Sequence, residues 1–144
     1  MKRFVIFVLA IVLVMGLAAP AYAVGSPTAT RQDIKRFLIS ATSDEYGIYT
    51  VDETYKLSEE GQQSMVDARL ALKAAVPQGM HARYFFYFYT NASCSALFEI
   101  ECYTELLFMQ FVDGEWVTLE HTDNGDGTYT VKDVVDAPMA ICFR

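Results

Sequence analysis

Hydrophobic periodicity divides the chain into an apolar head, one amphipathic helix and a long β-patterned remainder. Phe4 to Met15 is an unbroken run of 12 apolar residues. The clearest helical pattern runs from Glu59 to Ala75, where Met65, Ala68, Leu72, Ala75 and Val76 gather on one side at 100° per residue. Ser58 is placed to cap this helix, Glu59 and Glu60 suit its positive end, Lys73 suits the other, and Pro77 with Gly79 stops it. The stripe requires an apolar cover, and the expected cover is the domain's own sheet.

After Gly79 the pattern is that of strands. Tyr84 to Tyr89 reads YFFYFY. Alternation sets Tyr84, Phe86 and Phe88 on one face and Phe85, Tyr87 and Tyr89 on the other, which predicts a strand covered on both sides. Asn91 to Ser95 reads as a turn. Leu97 to Cys102 alternates, with Phe98, Ile100 and Cys102 on one face and Glu99 and Glu101 on the other. Leu106 to Val112 and Trp116 to Leu119 are joined by Asp113-Gly114, a hairpin pair whose turn positions both need a positive φ. Asn124-Gly125-Asp126-Gly127 predicts a second hairpin leading into Thr128 to Val131, and Met139 to Phe143 a last strand. Upstream, Glu45 to Val51 reads as a short strand with Ile48 and Tyr49 on opposite faces. Arg31 to Ser40 fits either a helix behind Thr30 or a strand through Phe37 and Ile39. The fold class is α+β: mainly antiparallel β, sandwich-like, with one amphipathic helix packed on the sheet. It forms a single domain over residues 31–144.

Composition changes the reading of the head. The sequence is 53% hydrophobic, but nineteen of its apolar residues lie within the first 23, and the remainder has an ordinary globular content. Lys2 and Arg3, the apolar run, and Ala21-Tyr22-Ala23 are the three parts of a secretory signal in order. The run is too short for the roughly 20 residues that span a bilayer. Cleavage is expected after Ala23, followed by a flexible leader over residues 24–30 and a secreted or extracytoplasmic mature chain outside the membrane. That chain carries nine basic residues against eighteen acidic ones, a formal charge of −9. Such a balance argues against nucleic acid and anionic lipid as partners, since both are bound through clustered Lys and Arg.

Candidate chemistry is sparse. Cys94, Cys102 and Cys142 are odd in number, so one is left over, and the expected bridge joins Cys142 to Cys94 or Cys102. The loop from Asp123 to Thr128 has calcium-like residues, but an EF-hand register puts Thr122 at position 1 and Asp133 at position 12, so a plain Gly-rich hairpin is favoured. Neither a metal nor another cofactor is expected. His121 beside Glu120 and Asp123 is the one arrangement suited to a general base, without a recognisable nucleophile. The aromatic run admits two roles. One is the core of a two-sided strand. The other is a ligand surface in which Tyr84, Tyr87, Tyr89 and Trp116 stack on a glycan or hold a protein.

The segment DGEWVTLEHTDNGDGTYTV, residues 113–131, resembles the closing hairpins of immunoglobulin-like β-sandwich modules in secreted and surface proteins of Gram-positive, clostridia-like bacteria. There, a Trp-bearing strand follows a Gly turn, and an Asn-Gly-Asp-Gly-Thr turn precedes the next strand. The resemblance implies a noncatalytic module and carries over no functional residues. The expectation is therefore a small exported, noncatalytic binding or interaction module for a protein or glycan ligand. The alternative is a small exported hydrolase using His121 with a neighbouring carboxylate.

Overall fold

The computed structural model describes residues 31–102 and 104–144. The expected signal peptide and leader lie outside these residues. Helix α1 (Arg31–Phe37) runs directly into strand β1 (Leu38–Ala41), so the ambiguous N-terminal segment is a helix and then a strand. There follow β2 (Tyr46–Tyr49), a 3₁₀-helix (Val51–Lys56), helix α2 (Glu59–Ala75), β3 (His81–Thr90), β4 (Cys94–Glu99), β5 (Leu106–Val112), β6 (Glu115–Thr118), β7 (His121–Asp123), β8 (Thr128–Val134) and β9 (Ala137–Phe143).

These strands form two antiparallel sheets, one in the order β1-β4-β8-β7 and the other β2-β3-β9-β5-β6. The sandwich-like α+β architecture expected from the sequence is present. Between the sheets lies the main core, which includes Phe86, Phe88, Phe98, Phe108, Val131, Met139 and Ile141, all fully buried. A second, smaller cluster of Met80, Met109 and Cys142, with Ala75, Val76, Leu107 and Trp116 packed against it, lies on the outer face of the five-stranded sheet under α2. The molecule thus has three layers: sheet, sheet and helix.

Local chemistry explains the joints. The Ser58 side chain accepts a hydrogen bond from the Gly61 N–H at 3.1 Å, which fixes the start of α2. Asp113 and Gly114 have φ of 53° and 80°, the two positive values that the β5–β6 hairpin requires. The fully buried Gln110 side chain clamps the connection from β8 to β9: its Nε2 donates to the Val135 carbonyl at 2.8 Å and its Oε1 accepts from the Val135 N–H at 2.9 Å. One amide therefore replaces a missing ladder step where the chain passes from one sheet to the other. Pro138 is tolerated in a central strand because the β5–β9 pairing ends at Gln110 and Met139, one residue short of it.

Candidate functional site

The aromatic strand β3 is central to the site. Tyr84, Phe86 and Phe88 point into the inter-sheet core, and Phe85, Tyr87 and Tyr89 point outward toward the helix layer. The four tyrosine and tryptophan candidates therefore do not share a surface. Tyr84 is buried between Phe37 and Phe143, with ring centroids at 5.0 and 5.8 Å. Tyr87 is buried on the opposite face and donates its hydroxyl to Asp136 at 2.7 Å. Burial and the Asp136 carboxylate both hold its phenol protonated well above the usual tyrosine range. Asp136 also accepts from the Thr90 N–H, so this pair locks the top of β3 to the start of β9.

Trp116 is half-buried and serves as a strut. Its ring lies 5.6 Å from Phe111 on β5 and 6.2 Å from Phe85 on β3, so it spans the outer face of β9, where Pro138 and Ala140 are small enough to admit it. Its Nε1–H donates to the Ala68 carbonyl of α2 at 2.8 Å, tying helix to sheet. Tyr89 reaches further toward the surface and stacks on Tyr49 of the edge strand at 4.5 Å. Gly47, its cross-strand partner, allows this: a Cβ there would collide with the Tyr89 ring. Beside this pair, Lys56 lies within 6 Å of the Tyr49 and Tyr55 rings.

The 3₁₀-helix covers the β2–β3 side of the outer face. It is anchored by Glu53, whose carboxylate accepts from the Thr50 N–H at 3.1 Å and from Lys35 of α1 at 2.6 Å. The bond from Lys35 is the main reason that its carboxyl is held below the ordinary range. Between the 3₁₀-helix and α2 a groove of about 220 Å³ stays open, lined by Val51, Thr54, Gln62, Met65, Val66, Arg69 and Phe85. Its surroundings are apolar and exposed: Tyr55 is 72% exposed, Val66 53% and Leu70 80%. Of these residues, sequence pattern singled out Met65 and Phe85. Val66 and Leu70, four apart on the polar side of the helix, were the available signal. A second, more open depression lies between α1, the end of β4 and the β7–β8 turn, lined by Arg36, Phe37, Glu99, Ile100, Glu101 and Gly127.

His121 is half-buried at an end of the sandwich, against Phe108 at 5.3 Å and Tyr129 at 6.1 Å. Its sequence neighbours turn to other partners: Glu120 faces Lys132 at 3.3 Å, and Asp123 accepts from the Gly125 N–H at 2.9 Å. In the β7–β8 turn Asp126 accepts from the Thr128 N–H and hydroxyl, which lowers its carboxyl pKa. Among the described residues no group of three or more His, Cys, Asp or Glu is arranged to hold a metal ion.

The expected disulfide is not formed. All three cysteines are free thiols, with Cys94 in the inter-sheet core and Cys102 packed against it. Cys142 lies on the other face of the five-stranded sheet, 3.9 Å from the Met109 sulfur. The backbone of the sheet separates it from both possible partners.

No family model, curated protein or solved structure matches the chain. Among the described residues no helix is long and apolar enough to cross a membrane.

Proposed function

We propose that the chain is a small exported, noncatalytic binding or interaction module with a protein or glycan ligand. On this reading it is of the immunoglobulin-like kind found in secreted and surface proteins of Gram-positive, clostridia-like bacteria. The observation that carries the reading is the incompletely covered outer face of the five-stranded sheet. There, a groove floored by Phe85 opens among the exposed Tyr55, Val66 and Leu70. Apolar groups at the centre of a polar surface are what a binding face presents. The Tyr49–Tyr89 stack extends the same layer and keeps Tyr89 among the proposed contacts, whereas Tyr84, Tyr87 and Trp116 support it from within.

Export is part of the proposal and rests on the N-terminal pattern. Expression of the full sequence in a secreting bacterial host should yield a product whose intact mass begins at Val24. The binding role is tested by screening the secreted protein against purified cell-surface glycans and a displayed peptide library. The double substitution Tyr55→Ala and Leu70→Ser should then abolish the interactions found while leaving the thermal midpoint in place. Interactions that survive the double substitution would place the binding face elsewhere.

A further inference from the structure

We propose that Tyr49 and Tyr89 form an oxidative cross-linking site, at which one-electron oxidation by a peroxide-driven haem peroxidase joins the two rings through a carbon–carbon bond and staples β2 to β3. The pair serves in this way whatever ligand the module takes.

The fold brings the two rings together before any reaction. Tyr49 lies opposite Tyr87 and Gly47 opposite Tyr89, so Tyr49 and Tyr89 are diagonal neighbours on one face of the β2–β3 pair. Gly47 has no side chain to fill its place on that face, and the Tyr89 ring leans across it. The rings stack with centroids 4.5 Å apart and planes inclined by 26°. At that separation their carbons are in van der Waals contact, close to the ~3–3.5 Å from which two held groups react.

The other tyrosines are placed differently. Among the described residues this is the one aromatic contact that joins two tyrosines. Tyr84, Tyr87 and Tyr129 are buried, and the Tyr87 hydroxyl is held by Asp136. Tyr55 is 72% exposed but meets the Lys56 ammonium and not a second phenol. Tyr49 and Tyr89 are both half-buried, so an oxidant reaches them while their strands keep them in register.

The chemistry balances between two phenols and one peroxide. Each phenol gives up one electron and its hydroxyl proton, and the unpaired electron spreads to the ring carbons beside the oxygen. One such carbon from each ring forms the new bond. Each of these carbons then loses its hydrogen as a proton while a proton returns to each oxygen, which restores two aromatic phenols. The net loss is two electrons and two protons, and hydrogen peroxide takes them up to give two waters. Because one chain holds both radicals, they meet at an effective concentration on the order of millimolar or above, so coupling within the molecule outruns coupling between molecules in dilute solution. β2 is a four-residue edge strand held by β3 alone. A link between residues this far apart in sequence also restricts the unfolded chain, and so stabilises the folded one.

The test treats the secreted protein, with its Cys102 thiol first alkylated, with a haem peroxidase and one equivalent of hydrogen peroxide at low protein concentration. The expected product is a monomer lighter by two hydrogens, with the red-shifted fluorescence of a linked biphenol and a raised thermal midpoint. Tyr49→Phe and Tyr89→Phe keep the rings without the hydroxyls. Each should fold as before, judged by its own midpoint, and reduce the linked monomer to background. Tyr55→Phe should leave its yield unchanged. A linked monomer that survives Tyr89→Phe or disappears in Tyr55→Phe overturns the proposal. So does cross-linking confined to covalent dimers, a linked monomer with no gain in midpoint, or no linked product at all.

Discussion

The two faces of the five-stranded sheet are made by the same strands and meet different covers. The inner face is matched by another sheet, strand against strand, and its side chains from Phe86 to Ile141 are sealed from water. The outer face is roofed by α2 and one 3₁₀-helix. Five strands at about 4.8 Å spacing make a surface roughly 19 Å across, and a helix is about 10 Å wide, so one helix cannot close it. Where the cover is continuous, aromatic rings are structural. Where two narrow elements share the task, a seam remains between them, and Phe85 shows through it. The comparison teaches that aromatic content alone does not mark an open face; the mismatch in width between a layer and its cover leaves the one proposed here to bind.

The comparison can be broken most directly in the core. Phe86→Ala should cost about 3–5 kcal/mol, the usual range for a fully buried phenylalanine, read as a shift in urea denaturation. Met65→Ala under α2 should fall near the low end of its range, about 2 kcal/mol, because the helix can settle toward the sheet. Equal costs would mean that the helix is as firm a cover as the second sheet. A smaller effect is expected at the strut. Trp116→Phe removes the hydrogen bond to Ala68, which is worth about 1 kcal/mol, and thins the spacer over β9. Amide exchange should accelerate in α2 while β3 and β9 keep their protection. Uniform acceleration would show that the layers open together.

The smallest effect is a matter of thiols and pH. Burial pushes the Cys142 thiol from the ordinary 9.0 up to about 11. A pKa raised in the folded state contributes stability that is complete below pH 9 and lost as the pH rises toward 11. Native alkylation near pH 8 should therefore label the half-buried Cys102 first and Cys142 last. Stability should fall between pH 9 and 11 by more in the native sequence than in Cys142→Ala. The variant is needed as a control because the raised Tyr87 phenol also loses its contribution to stability from its ordinary value of 10.0 upward, inside that range. Labelling of Cys142 as fast as Cys102 would mean that the outer layer is open to solvent.

Much of the fold could be read from the sequence, because several local signals agreed. The bounds of α2 match those expected, since the Ser58 cap, the apolar stripe and the Pro77 stop coincide. The alternation of YFFYFY assigned each ring to its observed face. Other elements carried weaker signals. The 3₁₀-helix is six residues long, too short for a period, and only the Thr50–Glu53 pairing hints at it. Strand β4 ends at Glu99, so the alternation followed to Cys102 overran it. β7 pairs with β8 through only three residues, too few to show an alternation. The disulfide expectation neglected parity: Cys142 alternates out of phase with Met139, Ile141 and Phe143, the inward residues of its own strand. The groove had no sequence signature as a whole. It exists because the 3₁₀-helix and α2 stop short of each other above Phe85.

Strand β9 is the last strand in chain order and sits in the middle of its sheet, between β3 and β5. Every one of its seven residues is buried. Until it arrives, the aromatic strand β3 has no neighbour on that side and β5 none on its own, so the five-stranded sheet cannot be completed from the residues that precede it. A chain emerging residue by residue is thereby kept from finishing its fold early. For a protein proposed to be threaded through a translocation channel, closure that waits for β9 preserves the extended, transportable form until that strand has been made.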